Sequence, residues 1–285
     1  MFISSDEDRR YTFMLYLSRK MYFSAVHSYR IDQWSEEKNR EVFGPCSNLH
    51  GHGHDYTLEV MVKGKLDKKS GIVVNITDID RVVKQFMQEE LDGKFLNKEN
   101  HYFKENIPTT ENIVSYIWNS LDGKIDNCRL HKIRLKENDF LYSEKEESPM
   151  VQLTRKYHFC TAHRLHSHQL SDEENLQLFG KCNNPYGHGH NYYLEVTVSG
   201  KPDPVTGMIA DIADMDQIVE EEIMKRFDHK HLNLDTEEFK ELNPTSENVA
   251  VVAWDLLSPR LTNLYKIGLY ETEKNYFEYY GPEEE

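Results

Sequence analysis

The stretch Phe179-Gly180-Lys181-Cys182-Asn183-Asn184-Pro185-Tyr186-Gly187-His188-Gly189-His190 decides the reading of this chain, because the chain carries it twice. Phe43-Gly44-Pro45-Cys46-Ser47-Asn48-Leu49-His50-Gly51-His52-Gly53-His54 lies 136 residues earlier, with its glycines, cysteine and His-Gly-His in the same places. The same offset relates His27 to His163, Asp78 to Asp214, Asp92 to Asp228, and Thr110-Glu111-Asn112 to Ser246-Glu247-Asn248. A constant offset over so long a span is a duplication with few insertions. Two copies of this period are two similar domains, not a solenoid. The expected domains are 11–142 and 151–282, joined through 143–150, where the charged run ending at Pro149 reads as a linker.

The 285 residues suit about two domains, each long enough to bury its own core. Apolar residues make up 38% and aromatics 12%, enough to fold, which excludes disorder of the whole chain. The net charge of −15 argues against nucleic acid or an anionic membrane as partner, since phosphate binding depends on clustered Lys and Arg. No stretch approaches the ~20 apolar residues that span a bilayer, and residues 1–10 lack the apolar core of a signal peptide. Four cysteines are too few for a disulfide scaffold. The expectation is a cytoplasmic protein with reduced thiols.

Each copy opens on a stretch rich in β-formers, 11–23 and 151–161, and a second strand starts at the histidine pair. There Tyr192, Leu194, Val196 and Val198 alternate with mostly polar neighbours, the period of a half-buried strand. A turn through Pro202, Pro204 and Gly207 leads to an expected third strand over 208–212. Helices are expected over 214–227, from its apolar spacing, and over 246–257, with Ser246 as N-cap and Glu247 in the first turn. Strands near 266–271 and 276–280 close the repeat. That order predicts the α+β class, each domain a four-stranded antiparallel sheet with two helices on one face.

Side chains at i and i+2 on a strand share a face, so His188 and His190 can hold one ion together. Gly189 between them lets the backbone come close, and His163, at the end of the preceding strand, is the expected third ligand. Three imidazoles and an open fourth position describe a catalytic zinc site. The first copy repeats the trio as His27, His52 and His54, so one zinc ion per domain is expected. Lone histidines read as ordinary polar residues, but a whole trio recurring at one offset does not. His158, His166 and His168 have no counterparts and keep the ordinary reading.

Cys182 and Cys46 each stand six residues before the first histidine of the pair, where a cationic metal can lower a thiol pKa and free a thiolate base. Cys128 and Cys160 face Leu264 and Ser24 in the alignment and read as small buried hydrophobes. Asp228 precedes His229, and an Asp beside a His can set its tautomer and make it a proton shuttle. The first copy reads Asp92-Gly93, and glycine carries no proton.

The segment from Cys182 to Tyr192 resembles the 6-pyruvoyl-tetrahydropterin synthase family. Asp203-Pro204-Val205-Thr206-Gly207-Met208, Asp228-His229-Lys230, Thr245-Ser246-Glu247-Asn248 and Tyr270-Glu271-Thr272 fit it in the same order, over essentially all of 151–282 and more loosely over 11–142. The resemblance implies a tunnelling fold (T-fold), whose sheets close into barrels between subunits, with active sites between them. It implies a zinc-dependent lyase converting 7,8-dihydroneopterin triphosphate to 6-pyruvoyltetrahydropterin with loss of triphosphate. His163, His188 and His190 would hold zinc, Cys182 would remove a side-chain proton, and Asp228 with His229 would shuttle protons. Glu271 would anchor the pterin ring, with Thr245, Ser246 and Glu247 at the substrate.

A sister branch, 6-carboxytetrahydropterin synthase of the queuosine pathway, shares zinc, fold and substrate; its cysteine lies closer to the pair, so the spacing here favours the pyruvoyl branch. A third reading is a pterin- or zinc-binding protein without turnover. The first copy keeps Cys46, its trio, Asp92 and Glu137 but lacks the shuttle histidine, and is expected to bind metal while turning over slowly or not at all. His50, aligned with Tyr186, is a weak substitute. A homo-oligomer is expected, three tandem chains forming two stacked rings of three domains, the equivalent of a hexamer of single domains. A triphosphate must then be drawn to an acidic chain by local charge, from the zinc sites and from Lys181, Arg226 and Lys230.

Overall fold

Runs of β-branched and aromatic residues build long strands in both copies, and each pair of strands carries its histidines at the same end. The computed structural model describes residues 13–283 and divides into two compact units. The start of the first strand expected at Tyr11, the domain boundary there and the charged residues 1–10 lie outside the described residues. The first unit comprises 13–153 together with 200–209, and the second comprises 154–199 and 210–283.

In the first unit β1 (Leu15–His27) pairs antiparallel with β2 (His52–Gly64), and His27 lies directly opposite His52. β2 pairs with β4 (Arg129–Asn138), which pairs with β5 (Leu141–Glu146), both antiparallel. The short β3 (Lys94–Phe95) adds a parallel edge beside β1, a strand the expected four-stranded sheet lacked. α1 (Glu36–Phe43) lies between β1 and β2 in sequence, α2 (Ile76–Glu90) follows β2, and α3 (Thr110–Leu121) precedes β4. Ile79, Val83 and Met87 of α2 join Ile113, Ile117 and Leu121 of α3 in one core with Leu58 and Val60 of β2. A paired hydrogen bond from Arg19 to Asp80 ties α2 to β1.

The second unit follows the same plan. β6 (Val151–His163), β7 (His188–Gly200), β9 (Leu264–Thr272) and β10 (Asn275–Tyr279) lie side by side in that order, with β8 (Lys230–His231) parallel to β6. α4 (Asp172–Phe179), α5 (Ile212–Val219) and α6 (Ser246–Leu257) correspond to α1, α2 and α3. α5 continues through a π turn at Glu220–Met224 into Lys225–Phe227. Arg155 repeats the strand-to-helix tie on Asp216, at the same offset as the first unit's pair.

Four local expectations are corrected. The third strand over 208–212 does not form, because Asp211 accepts from the backbone N–H groups of Ala213 and Asp214 and starts α5 instead. Thr245, not Ser246, caps α6, its hydroxyl accepting from the Asn248 N–H at 3.4 Å. The expected linker begins inside β5, where Ser143, Glu144 and Lys145 are buried; Glu144 is paired with Lys132 and Arg134, and the Lys145 ammonium donates to the Ser148 carbonyl. The polar side of β7 is covered too: Thr197 meets Thr154 at 2.8 Å, and Glu195 accepts from the Tyr276 hydroxyl at 3.0 Å.

Candidate functional site

The trio in each unit is assembled by strand register. His188 and His190 share one face of β7, as the i, i+2 rule requires, and His163 ends β6. One nitrogen from each of His163, His188 and His190 lies within 4.8 Å of the others, and the same holds for His27, His52 and His54. The glycine in close quarters is Gly187 rather than Gly189. At φ +73° a Cβ on Gly187 would stand 2.9 Å from the His163 carbonyl, whereas one on Gly189 would find ordinary contact with Thr161.

The chemistry of the donor set fits a metal ion. A carbonyl can only accept, so the contact of His163 Nδ1 with the Pro244 carbonyl at 2.8 Å makes Nδ1 the N–H and turns the Nε2 lone pair inward. His27 repeats this on the Pro108 carbonyl at 3.1 Å. The inward His163 Nε2 stands 3.2 Å from His188 Nε2, and His27 Nε2 stands 3.1 Å from His52 Nε2. His190 Nε2 and His54 Nε2 are buried with no hydrogen-bond partner. Burial, with neighbouring imidazoles behind it, lowers His27 to about 3, and burial likewise lowers His163 to about 4, so both are neutral near pH 7. Three imidazole nitrogens converging on one point are what zinc takes.

A carboxylate borders each trio, and here the units differ. Glu271 Oε1 lies 3.7 Å from His163 and 3.8 Å from His190, and its Oε2 accepts from the Asn275 amide at 3.1 Å. Burial pushes Glu271 upward, but hydrogen bonds from Asn275 and Ser246 and the two histidines outweigh it and hold the carboxyl low. In the first unit Glu137 lies 3.5 Å from His54, while its Oε2 takes the Thr110 hydroxyl at 2.9 Å and faces the Tyr29 hydroxyl at 3.4 Å. Tyr29 packs with Phe43 and Ile107 in an apolar cluster that also takes in Trp34, Cys46 and Met208. The second unit has Leu165, Leu170 and Asn243 at the places of Tyr29, Trp34 and Ile107. An apolar cluster thus borders the first site through Tyr29, whose ring meets that of His27 at 4.8 Å. Sequence reading missed this cluster, although the Tyr29/Leu165 and Ile107/Asn243 mismatches were there to be seen.

Cys182 is half-buried in a short 3-10 turn before β7, close enough for its charge to act on the Tyr192 hydroxyl beside Glu271. Burial, then Glu137, pushes the Cys46 thiol up to about 11 in the protein's own field. Asp228 and His229 form their pair, His229 Nδ1 to Asp228 Oδ2 at 2.9 Å. Among the described residues no hydrogen bond or ion pair joins that pair to Cys182 or to the trio of its own unit. Asp228 Oδ1 instead takes the Cys160 N–H at 2.8 Å, and the His229 N–H donates to the Cys160 carbonyl at 2.7 Å. Cys160 and Cys128 are half-buried rather than fully enclosed.

Among the described residues no hydrogen bond joins Thr245 or Glu247 to Glu271. Their counterparts show what such positions can do: in the first unit Thr109 Oγ1 donates to the Gly207 carbonyl at 2.8 Å, and buried Glu111 accepts the Ile209 N–H at 3.1 Å.

No helix among the described residues is long and apolar enough to cross a membrane. The family model described as 6-pyruvoyl tetrahydropterin synthase matches twice, over residues 16–147 and 152–282. The human 6-pyruvoyl tetrahydrobiopterin synthase is 52% identical over 133 residues, 46% of this chain and 92% of that protein. The Drosophila melanogaster protein of the same name is 48% identical over 139 residues, 48% of this chain and 83% of that one. The solved structure of Caenorhabditis elegans 6-pyruvoyl tetrahydropterin synthase covers 47% of this chain and 97% of its own, at 43% identity and a TM-score of 0.46.

Proposed function

Because the chain belongs to the 6-pyruvoyl tetrahydropterin synthase family of lyases in both of its repeats, we propose that its second unit is the working synthase. It eliminates triphosphate from 7,8-dihydroneopterin triphosphate and gives 6-pyruvoyltetrahydropterin, while the first unit holds a metal without turnover. The observation that carries this reading is the contrast at the carboxylates. Glu271, with Oε1 turned to His163 and His190, is 15% exposed, whereas Glu137, held by Thr110 and Tyr29 beside His54, is 7% exposed.

His163, His188 and His190 would hold zinc, which when bound polarises the hydroxyl oxygens of the substrate side chain. Glu271, ionised and oriented by Asn275 and Ser246, accepts the amino and ring N–H groups of a pterin as a two-oxygen acceptor. Cys182 takes a proton from a side-chain carbon as triphosphate leaves, and the electrons stay within the substrate, so no outside oxidant or reductant is needed. His229 donates or accepts at Nε2 while Asp228 fixes its Nδ1. The ring is largely exposed and unattached to its own trio, which suits a site shared between subunits.

The test is incubation of the purified chain with 7,8-dihydroneopterin triphosphate and identification of the products. Triphosphate plus a pyruvoyl pterin is the expected result. A carboxy pterin with acetaldehyde moves the assignment to the queuosine branch, and bound zinc without turnover makes the chain a binding protein. Metal analysis is expected to give close to two zinc ions per chain.

A further inference from the structure

The turn that carries Cys182 is pinned by residues 164–166, which follow β6. The Leu165 N–H donates to the Cys182 carbonyl at 2.9 Å, and Asn183, the next residue of the turn, spreads its side chain over the same loop. The Asn183 amide nitrogen donates to the Leu165 carbonyl at 2.7 Å and meets His166 Nδ1 at 3.0 Å, while its Oδ1 accepts from Arg164 Nη2 at 3.2 Å. A guanidinium can only donate and a carbonyl can only accept, so Arg164 and Leu165 fix which end of that amide is which. Both Asn183 side-chain N–H groups are then committed, one to Leu165 and one to His166. His166 Nδ1 must therefore be a bare acceptor, with the ring proton on Nε2.

The same histidine reaches the start of α6 through its backbone. Its N–H donates to Asn243 Oδ1 at 3.1 Å, and the Asn243 carbonyl takes the Thr245 N–H and the Asn248 amide, each at 2.8 Å. The first unit lacks this coupling. Arg30, at the place of His166, is held by Asp32 and Glu36 and reaches the Ser47 carbonyl at 3.4 Å. Ser47, at the place of Asn183, turns its hydroxyl back on the Gly44 carbonyl at 2.7 Å, and Ile107 stands where Asn243 accepts.

We infer that His166, which the sequence presents as an ordinary polar residue, is a positioning residue for Cys182: its neutral ring holds the Asn183 amide, and Asn183 holds the turn in which the thiol stands. The inference rests on the proposed role of Cys182 as the base. A proton on Nδ1 would set N–H against N–H, and turning the Asn183 amide over would only move the clash to Arg164 and the Leu165 carbonyl. The hold is therefore present while the ring is neutral and lost when the ring is protonated. Burial, then Arg164 and His168, push His166 below its usual 6.5, against the pull of Asp172 at the start of α4. Asn183 and Asn243, which meet it from the turn and from the loop before α6, carry no charge. The neutral ring thus persists below the usual histidine value, and the turn is released as pH falls further.

Alkylation of the zinc-loaded full chain by iodoacetamide, read cysteine by cysteine by mass spectrometry, tests this without any turnover. His166→Ala removes the acceptor, His166→Arg installs the donor that the first unit has there, and His166→Asn keeps an uncharged acceptor oxygen near the place of Nδ1. At about pH 7.5 the Ala and Arg variants are expected to speed alkylation of Cys182 by roughly 2- to 10-fold, the worth of one hydrogen bond. Cys160, half-buried on β6 of the same unit, is expected to keep its rate. Between about pH 7.5 and about 5.5 the wild-type rate at Cys182, relative to His166→Asn, is expected to rise as the ring takes its proton. With 7,8-dihydroneopterin triphosphate, the Ala and Arg variants are expected to lose kcat by a similar factor at unchanged KM, because the backbone bond to Asn243 survives a change of side chain. His166→Asn is expected to recover most of that loss. Equal alkylation of Cys182 in the wild type and in the Ala and Arg variants overturns the inference, and so does a ratio that is flat with pH. A His166→Asn variant that behaves as His166→Ala, or an equal rise at Cys160, overturns it too. If no form turns over while alkylation follows the expected order, the lyase reading falls and the hold of His166 on the Cys182 turn stands.

Discussion

The two units hold the same three histidines on the same strands, yet the side chains around them differ. In the first, Tyr29, Phe43 and Ile107 form an apolar cluster with Cys46 and Met208 against it, and Glu137 accepts from Thr110 and Tyr29 at one oxygen, Oε2. In the second, Leu165, Leu170 and Asn243 stand at the places of Tyr29, Trp34 and Ile107, and the corresponding carboxylate, Glu271, faces His163 and His190. A metal-binding constellation therefore persists more readily than an active site. The trio needs two strand ends in register, while turnover also needs an open acceptor, a free thiol and a proton carrier. The largest expected effect falls on that difference. Removing a positioned base costs about 10²–10⁴ in rate. Cys182→Ala is expected to lower turnover by that factor with zinc retained, and Cys46→Ala to leave turnover nearly unchanged, as read by triphosphate release and metal analysis. A loss in both would show two working sites.

The second contrast is a matter of pH. Burial raises Glu111 from 4.5 to about 7, against the hydrogen bond it accepts from Ile209. A carboxyl raised on folding binds more protons folded than unfolded between those values, so stability falls as pH rises from about 4.5 to about 7 and is level outside that window. The integrated change is at most about 3 kcal/mol. Glu111→Gln is expected to flatten the slope in urea unfolding, followed in a Trp254→Phe background so that Trp34 and Trp118 of the first unit report. An unchanged slope would mean that Glu111 is solvated by water in the folded chain.

At the carboxylates the effect is smaller. A hydrogen bond to a charged group is worth about 1.5–3 kcal/mol, so Glu271→Gln is expected to raise KM by roughly 10- to 100-fold. Glu137→Gln is expected to leave KM where it was. If both shift KM, pterin reaches the first site despite Tyr29.

What the sequence made legible and what it hid follow from the range of the interactions involved. The trio was readable because strand periodicity is local and the offset of 136 tested it twice. The helix start was misjudged at 208–212 because an apolar run has no period of its own, and Asp211 wins by capping. Thr245 and Ser246 are both cap formers, so the sequence alone does not tell which of them caps α6. Thr245 takes the cap, and the Ser246 hydroxyl goes to Glu271 instead. The seating of 200–209 on Thr109 and Glu111 joins residues about a hundred positions apart and leaves no trace in either segment alone. The closing of β5 around Glu144 and Lys145 is of the same kind, since charge in a sequence reads as solvent until its partners are known.

The smallest effect lies at the proton carrier, where the two units make opposite choices at one backbone position. His229 sits at φ +57°, and Gly93 sits at φ +71° in the matching turn, each donating its N–H to the residue at the same place on the opening strand. A side chain with a Cβ costs on the order of 1 kcal/mol in this left-handed conformation, which glycine adopts freely. The first unit has taken the cheaper residue, and the second keeps the histidine against that cost, as expected where the ring is used. His229→Gly should therefore stabilise the second unit by about 1 kcal/mol while turnover falls, and Gly93→His should destabilise the first by a similar amount with no gain in turnover. Urea unfolding and triphosphate release, measured on the same two variants, separate the outcomes. If His229→Gly keeps its rate and only gains stability, the histidine is not the proton carrier, and the difference between the two units rests on the surroundings of Glu271 and Glu137 alone.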